Sequence, residues 1–450
     1  MSATPADVGG GALFCPLLHD LCCVVAMPLS SPASLALELR RRLPLGLDAP
    51  TSAEVLIDAT ALDTGHRDRG IGRYVHGLIQ AMGALERSPE AALLRLHPDA
   101  SPLPRKVDLK AQGPSDAAID SPFPTWTLRR PRTTHLGRFL LNELRLAREL
   151  RRSGAKLYHA TEPWSAPVGP GFKTVITCHD LIPLQFPEHY MGKGHRYWQV
   201  YHHYMGLRDR WRALDHIIAI SEATATELKQ RFNVPDERIT VVPNGIDHGH
   251  FKPASPVAIN DLKQRFNLKS PFALYLGGYD FRKNTELLIR ALAQLPSSTE
   301  LTLVLAGGVD AQMRAAHDAL AKKLGQAHRL RWLGFVDDRD LPALYGAADF
   351  FVYPSLAEGF GLQALEAMAC GCPVIASDRS SLPEVVGDAA LLANPGSAYG
   401  WGESMSALLK DTTLRERLRE AGLKRAQDFS WERCARETAA VYERLLASTF

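Results

Sequence analysis

The chain has 450 residues, with 52 Lys and Arg against 49 Asp and Glu, a formal net charge of +3. Hydrophobic residues make up 46% and charged residues 22%, with 34 Gly and 30 Pro, which excludes a collagen, a coiled coil or a wholly disordered chain. So small a charge excess argues against a nucleic-acid partner, and seven cysteines without regular spacing make no disulfide framework, so a reducing, cytoplasmic setting is expected.

Residues 1–52 differ from the rest. They carry Cys15, Cys22 and Cys23, and the apolar stretch from Ala12 to Leu29 is broken by Pro16, His19, Asp20 and Pro28, with no basic residue before it. Neither a secretory signal nor a membrane span is built that way, and the segment is expected to be a poorly ordered leader. From Ala53 onward, short apolar or β-branched runs alternate with amphipathic ones. Strands are expected over 55–57, 157–159, 174–178, 216–220 and 239–242, then over 272–276, 301–306, 330–333, 350–353, 374–376 and 390–392. Nearly continuous apolar strands alternating with helices predict parallel sheets covered on both faces, and this many strands divide naturally into two. Lys252, Pro253, Ser255 and Pro256 interrupt the periodicity and place a seam between domains near 251–256. The expected fold class is α/β, two doubly wound Rossmann-like domains facing a cleft, with ligands at the carboxyl ends of the strands.

The strongest local signal runs from Glu358 to Ser377. A strand ending at Tyr353-Pro354 leads into a turn containing Gly359 and Gly361, and a helix is expected to start near Gly361. The glycines let backbone approach a ligand, and the free N–H groups and positive end of the helix suit a diphosphate. Glu358 and Glu366 lie eight residues apart, roughly 12 Å along a helix. One carboxylate could hold each end of a nucleotide sugar; taken alone, the pair would read as a helix start and a polar face.

Three further segments carry chemistry. Gly277 to Asn284 follows a strand, and Arg282 and Lys283 there can supply fixed cations to a leaving diphosphate. Thr177-Cys178-His179-Asp180 ends a strand on the cleft side; His179 by itself is as readily structural as functional, and Asp180 is expected to anchor the loop. Gly65 to Arg73 follows the first strand. Gly70 and Gly72 suggest a dinucleotide fingerprint, but Val75 stands where the third glycine would be, which counts against a nicotinamide cofactor. His66 and Arg67 are open between acceptor contact and a solvated loop. Asp338-Arg339-Asp340 has the spacing of metal-dependent transferases. It directly precedes Leu341-Pro342, so one Asp is expected to cap a helix, and no metal site is expected. Cys370 and Cys372 lack a second ligand pair and read as small buried residues.

Taken together, 358–377 with the segments at 65–74, 177–180, 220–221, 242–247, 282–284 and 334–336 resembles the retaining glycosyltransferases of family 4, which have the GT-B fold. The resemblance covers about 55–446 and is nearest to the mannosyltransferase branch of bacterial polysaccharide and O-antigen assembly, on Ile57-Asp58-Ala59 and Gly70-Ile71-Gly72-Arg73-Tyr74. It implies an acceptor domain over 53–252, a nucleotide-sugar domain over 253–428 and a C-terminal helix, 429–450, crossing back to the first domain. It implies that Glu358 contacts the donor sugar, that Glu366 binds the ribose, and that backbone amides of Phe360, Gly361 and Leu362 hold sugar and phosphates. Lys283 and Arg282 would meet the diphosphate, although Gly278 stands where the family often has an Arg. His179 would touch the donor sugar, the Gly334, Phe335 and Val336 loop would read the base, and Gly70 and Gly72 would face acceptor and phosphates. The implied reaction moves a hexose, with GDP-mannose favoured as donor and no cofactor or metal, to a glycan or lipid-linked glycan hydroxyl. UDP-glucose or dTDP-rhamnose transfer, an epimerase or phosphorylase of the same fold, and a non-catalytic nucleotide-sugar binder stay open.

A lipid-linked acceptor gives meaning to the stretch from Thr127 to Arg152, which holds eight Arg and two acids. Read as a helix, it places Arg138, Arg145 and Arg152 on one face with Arg148 close by, opposite Leu136, Leu140, Leu144, Ala147 and Leu150. Peripheral contact with anionic lipid on the inner face of the plasma membrane is expected through it, against an ordinary solvated helix face.

Overall fold

The computed structural model describes residues 46–48, 53–63, 67, 70–96, 121–129, 146–162, 166–191, 198, 201, 202 and 205–448. Of the residues singled out above, those of the 12–29 stretch, Gly65, His66, Leu136, Arg138, Leu140, Leu144 and Arg145 lie outside them.

Among the described residues the strands form two sheets. The first holds β1 (Gly46–Asp48), β2 (Val55–Asp58), β3 (Ala91–Leu96), β4 (Thr125–Arg129), β5 (Leu157–Ala160), β6 (Lys173–Cys178), β7 (His216–Ala219) and β8 (Ile239–Val241) in the order β1-β4-β3-β2-β5-β6-β7-β8. The second holds β9 (Phe272–Leu276), β10 (Thr302–Ala306), β11 (Leu330–Gly334), β12 (Phe350–Tyr353), β13 (Val374–Ser377) and β14 (Leu391–Ala393) in the order β11-β10-β9-β12-β13-β14. Every pairing is parallel except β1 with β4. The continuous apolar runs are buried on both faces, as in Val55, Leu56 and Ile57 of β2 and Phe350, Phe351 and Val352 of β12.

All eleven expected strands are present, within one or two residues at each end. Three others were not expected. β1 falls inside the segment read as a leader, so that segment contributes an edge strand at Gly46–Asp48. β4 occupies the start of the stretch read as an Arg-striped helix, so Thr127, Leu128 and Arg129 belong to the sheet. Of that stretch, only Ala147–Ser153 is described as α-helix; Ala147 and Leu150 are buried there, and Arg151 and Arg152 are exposed.

Strand order reverses at β2/β5 in the first sheet and at β9/β12 in the second. These switch points open crevices at the carboxyl ends of the strands. The segments after β2, β6, β9, β11 and β12 are those that carried the sequence signals.

Helices cover both faces. Gly70–Gly83 packs its Val75, Leu78, Ile79 and Met82 onto Val55, Ile57 and Leu93. The last helix, Trp431–Ala447, joins the same cluster through Cys434, Ala435, Val441 and Tyr442. It therefore belongs in space to the first sheet, although its chain emerges from the second. Trp431 lies so close to Gly77 that a Cβ there would sit 2.3 Å from the indole.

Candidate active site

Glu358 follows β12 and is buried, with both oxygens taken by cations from the turn after β9. Lys283 Nζ donates to its Oε1 at 2.6 Å, and Arg282 Nη1 donates to its Oε2 at 3.1 Å. Lys283 also donates to the Tyr353 hydroxyl at 3.2 Å. Burial alone would push the Glu358 carboxyl up; Lys283 and Arg282 outweigh it and hold it at about 2. The local sequence builds this turn. Asp280 accepts from Arg282 N at the head of the short Phe281–Lys283 turn. Asn284, at φ +52°, redirects the chain into the Thr285–Leu292 helix. Asn284 Nδ2 donates to Pro354 O and Pro395 O, and Leu356 N donates to Arg282 O, so the cation turn and the Glu358 loop are tied together by backbone.

The next residues present backbone. Gly361, at φ +110°, precedes the Leu362–Ala369 helix, and no side chain caps its first turn. Ser381 Oγ lies 2.9 Å from both Phe360 O and Glu358 O, which share its one proton, and Ser380 Oγ donates to Glu358 O at 2.7 Å, so the two serines tie down the loop's carbonyls. Gly359 lies against the first domain: a Cβ there would sit 2.1 Å from His179 O. Only glycine permits this approach of Glu358 to the segment after β6.

His179 is fixed on that opposite wall. Its Nε2 lies 2.9 Å from Thr161 O, which can only accept, so Nε2 carries the proton and Nδ1 keeps a lone pair. The Tyr74 ring meets the imidazole edge-on with centroids 4.9 Å apart. Burial lowers the His179 pKa, so the ring is neutral near pH 7. Behind it, Tyr74 and Thr177 hydroxyls meet at 2.8 Å, Thr177 Oγ1 meets His159 Nε2 at 2.7 Å, and His159 Nδ1 meets the Tyr442 hydroxyl. Burial, with His179 adding to it, lowers the His159 pKa to about 3. Asp180 Oδ1 accepts from Ile182 N and anchors the turn.

Glu366 is buried on the inner side of the Leu362–Ala369 helix. Arg73 Nη1 donates to its Oε1 at 2.6 Å, and the Tyr345 hydroxyl donates to its Oε2 at 2.9 Å. Arg73 comes from the Gly70–Gly83 helix of the first sheet and also donates through Nη2 to Asp338 Oδ1 at 2.8 Å. Nearby, Gly334 has φ +70° and its carbonyl accepts from Gly307 N at 2.7 Å. Val336 is buried, while Phe335 is 82% exposed.

The structure thus brings Glu358, Lys283, Arg282, Phe360, Gly361, Leu362 and His179 together, with Glu366 one turn further along the Leu362–Ala369 helix. Gly70 and Gly72 are placed in the first turn of the Gly70–Gly83 helix rather than in a loop, and Gly72 is buried. The helix containing Glu366 begins only at Leu362, so the full eight-residue helical spacing does not apply between the two glutamates. Neither acid of Asp338-Arg339-Asp340 caps a helix. Asp337 accepts from Arg339 N, Asp338 takes Arg73, and Asp340 stands at the cap position with its carboxylate on Arg265 at 2.6 Å. Among the described residues, no group of three or more His, Cys, Asp or Glu could hold a metal ion.

Sequence reasoning missed Arg73, Tyr345 and Glu384. Arg73 had a signal, since a cation in the first turn of the helix after the first strand points toward the crevice. Glu384 lies in the Leu382–Val386 helix of the second domain. It accepts from Glu222 N at 2.9 Å and Ala223 N at 3.4 Å, at the start of the Glu222–Phe232 helix of the first.

The comparisons agree with this architecture. The family model described as Glycosyltransferase Family 4 matches residues 69–250, and that described as Glycosyl transferases group 1 matches 258–425. An O-antigen chain mannosyltransferase B of Escherichia coli is 32% identical over 389 residues, covering 84% of this chain and 96% of that protein. A serotype-specific mannosyltransferase WbdA of Escherichia coli is 33% identical over 282 residues, covering 62% of this chain; the match spans only 34% of that longer protein. Among solved structures, a sucrose-phosphate synthase from Thermosynechococcus elongatus superposes with a TM-score of 0.68 at 23% identity, covering 88% of this chain and 99% of that one. A glycosyltransferase from Rickettsia africae ESF-5 superposes with a TM-score of 0.65 at 16% identity, covering 89% and 100%. Two doubly wound sheets facing a crevice, matched by both family models and by a full-length relative, make this chain a member of glycosyltransferase family 4 with the GT-B fold.

Proposed function

We propose that the enzyme transfers mannose from GDP-mannose to a hydroxyl of a glycan or lipid-linked glycan, with retention at the anomeric carbon. One observation carries this reading: Glu358 lies in a buried ion pair with Lys283 and Arg282, beside an uncapped helix end at Gly361. A nucleoside diphosphate gains negative charge as it leaves, and a site with two preorganised cations and free backbone N–H groups stabilises that charge without reorganising. Glu358, held ionised, accepts from sugar hydroxyls, and His179 Nδ1 offers a second acceptor from the opposite wall. Glu366 accepts from the ribose hydroxyls at the far end, with Gly334, Phe335 and Val336 beside the base. In a same-face mechanism the leaving phosphate takes the acceptor's proton, so no protein base is needed. The relatives named as mannosyltransferases favour mannose over glucose or rhamnose.

The test is a donor panel of GDP-mannose, UDP-glucose and dTDP-rhamnose, each with and without glycan acceptor. Acceptor-dependent release of GDP, and an anomeric proton signal matching the donor's configuration, are expected. Inversion in the product, or release only from a uridine or thymidine donor, would replace this reading. Because Lys283, Arg282 and the helix end meet the phosphate charge, turnover is expected to survive EDTA. Loss that Mg²⁺ or Mn²⁺ restores would assign a divalent ion to the diphosphate.

A further inference from the structure

We infer that Arg73, although it belongs to the first domain, is a positioning residue of the nucleotide site: it holds Glu366 as an anion and makes nucleotide affinity depend on closure of the two domains. The inference rests on the reading of Glu366 as the ribose ligand. A carboxylate has two lone pairs on each oxygen. In Glu366, Arg73 takes one on Oε1 and the Tyr345 hydroxyl takes one on Oε2, which leaves one on each oxygen for a pair of ribose hydroxyls. That geometry accepts both hydroxyls only when the carboxyl is ionised, since a protonated oxygen donates instead. The guanidinium is held in place by its second nitrogen on Asp338.

The charged and titratable groups facing Glu366 come from five places. Arg73 lies on the Gly70–Gly83 helix, Tyr345 on the Leu341–Ala347 helix, and Asp338 on the turn before it. His250 follows β8, and Cys370 ends the glutamate's own helix. Burial raises the Glu366 pKa; Arg73 opposes this most strongly, Tyr345 assists it, Asp338 works against it, and His250 lowers it when protonated. The only direct ion pair to Glu366 among the described residues therefore comes from across the cleft. Opening the domains would take the guanidinium away from Glu366 and with it the fixed charge that favours the ionised carboxyl.

The experiment is calorimetric titration with guanosine diphosphate, and uridine diphosphate alongside, between about pH 6 and pH 8.5. Arg73 is one-third exposed, so Arg73→Gln is expected to fold. Its affinity should fall about tenfold or more below wild type at the acid end, and the deficit should shrink as pH rises, because the carboxyl without Arg73 ionises only at higher pH. Arg73→Lys, which keeps the charge, should restore the wild-type pH profile; if it does not, charge is not what Arg73 supplies. His250 is retained throughout, so its contribution is common to every arm. A uniform loss at all pH values, or binding as tight as wild type, would overturn the inference. Glu366→Gln separates the two readings. If it is weak at every pH while Arg73→Gln is insensitive to pH, only the role of Arg73 falls. If Glu366→Gln binds like wild type, the ribose assignment falls and takes the inference with it.

Discussion

Lys283 is buried only because Glu358 and the Tyr353 hydroxyl receive it, and the reverse holds for Glu358. Removing one member of such a pair leaves a buried charge, which costs about 3–5 kcal/mol, whereas surface pairs contribute little. Lys283→Met is therefore expected to lower turnover by about a hundredfold or more and the melting temperature as well, read by steady-state kinetics and thermal unfolding. On the proposal that Glu358 contacts the sugar, Glu358→Gln should cut turnover more than it changes nucleoside diphosphate affinity. That these residues would gather at the ends of strands was legible in the sequence, because glycine spacing, carboxylates and a dibasic turn each have a chemical reason to occur there. Arg73 was not legible as a partner of Glu366. Its pairing spans 293 residues and depends on how two domains close, which no local pattern encodes. The same limit hid the true partners of Asp338 and Asp340, since N-cap logic considers only the helix that follows.

His159 sits midway along a buried chain of hydroxyls from Tyr442 to Tyr74, linking the last helix to the Gly70–Gly83 helix through β5 and β6. Its folded pKa of about 3 lies below the 6.5 of an exposed histidine. The unfolded chain then binds more protons between those values, so the neutral ring's contribution is full above about pH 6.5 and is lost as pH falls. His159→Gln should flatten the decline of stability on acidification, measured by urea unfolding at several pH values. At the level of elements, long apolar strands read correctly because a parallel strand buried on both faces has a strong signal. β1 and β4 failed for physical reasons: β1 is three residues long and lies at the sheet edge, where one flank is unpaired and polar residues are tolerated, while β4, paired on both flanks, reads Thr-Trp-Thr-Leu-Arg and has no continuous apolar run. Gly359 tests the contact between elements. Its Cβ-free backbone touches His179 O, so Gly359→Ala should force the walls apart and lower turnover about a hundredfold or more while the melting temperature stays near wild type.

At the scale of the molecule, polar links join the domains, among them Arg73 to Glu366 and Asp338, His250 to Asp338 O, and Glu384 to the start of the Glu222–Phe232 helix. Burial raises the Glu384 pKa, and the two backbone N–H groups oppose this. Glu384→Ala should favour opening, seen as a larger radius of gyration in small-angle scattering and a higher acceptor KM. Among the described residues, no helix is long and apolar enough to cross a membrane, and Arg151 and Arg152 lie on the exposed face of Ala147–Ser153.

The chain passes between the domains twice, and the two passages lie side by side. Ile246 bridges Ser430, His248 Nε2 donates to Phe429 O, and Gly245 has no room for a Cβ against the Ser430–Trp431 backbone. The second half is thus a single insert with its entry and exit laced together, while the last helix stays with the first sheet. Anyone grafting the donor preference of one relative onto another should cut at both passages, near 246 and 430, rather than at one. A graft made with a single cut would pair a foreign Trp431–Ala447 helix with Tyr74, Gly77 and His159, and the mismatch would arise far from the sugar whose exchange was intended.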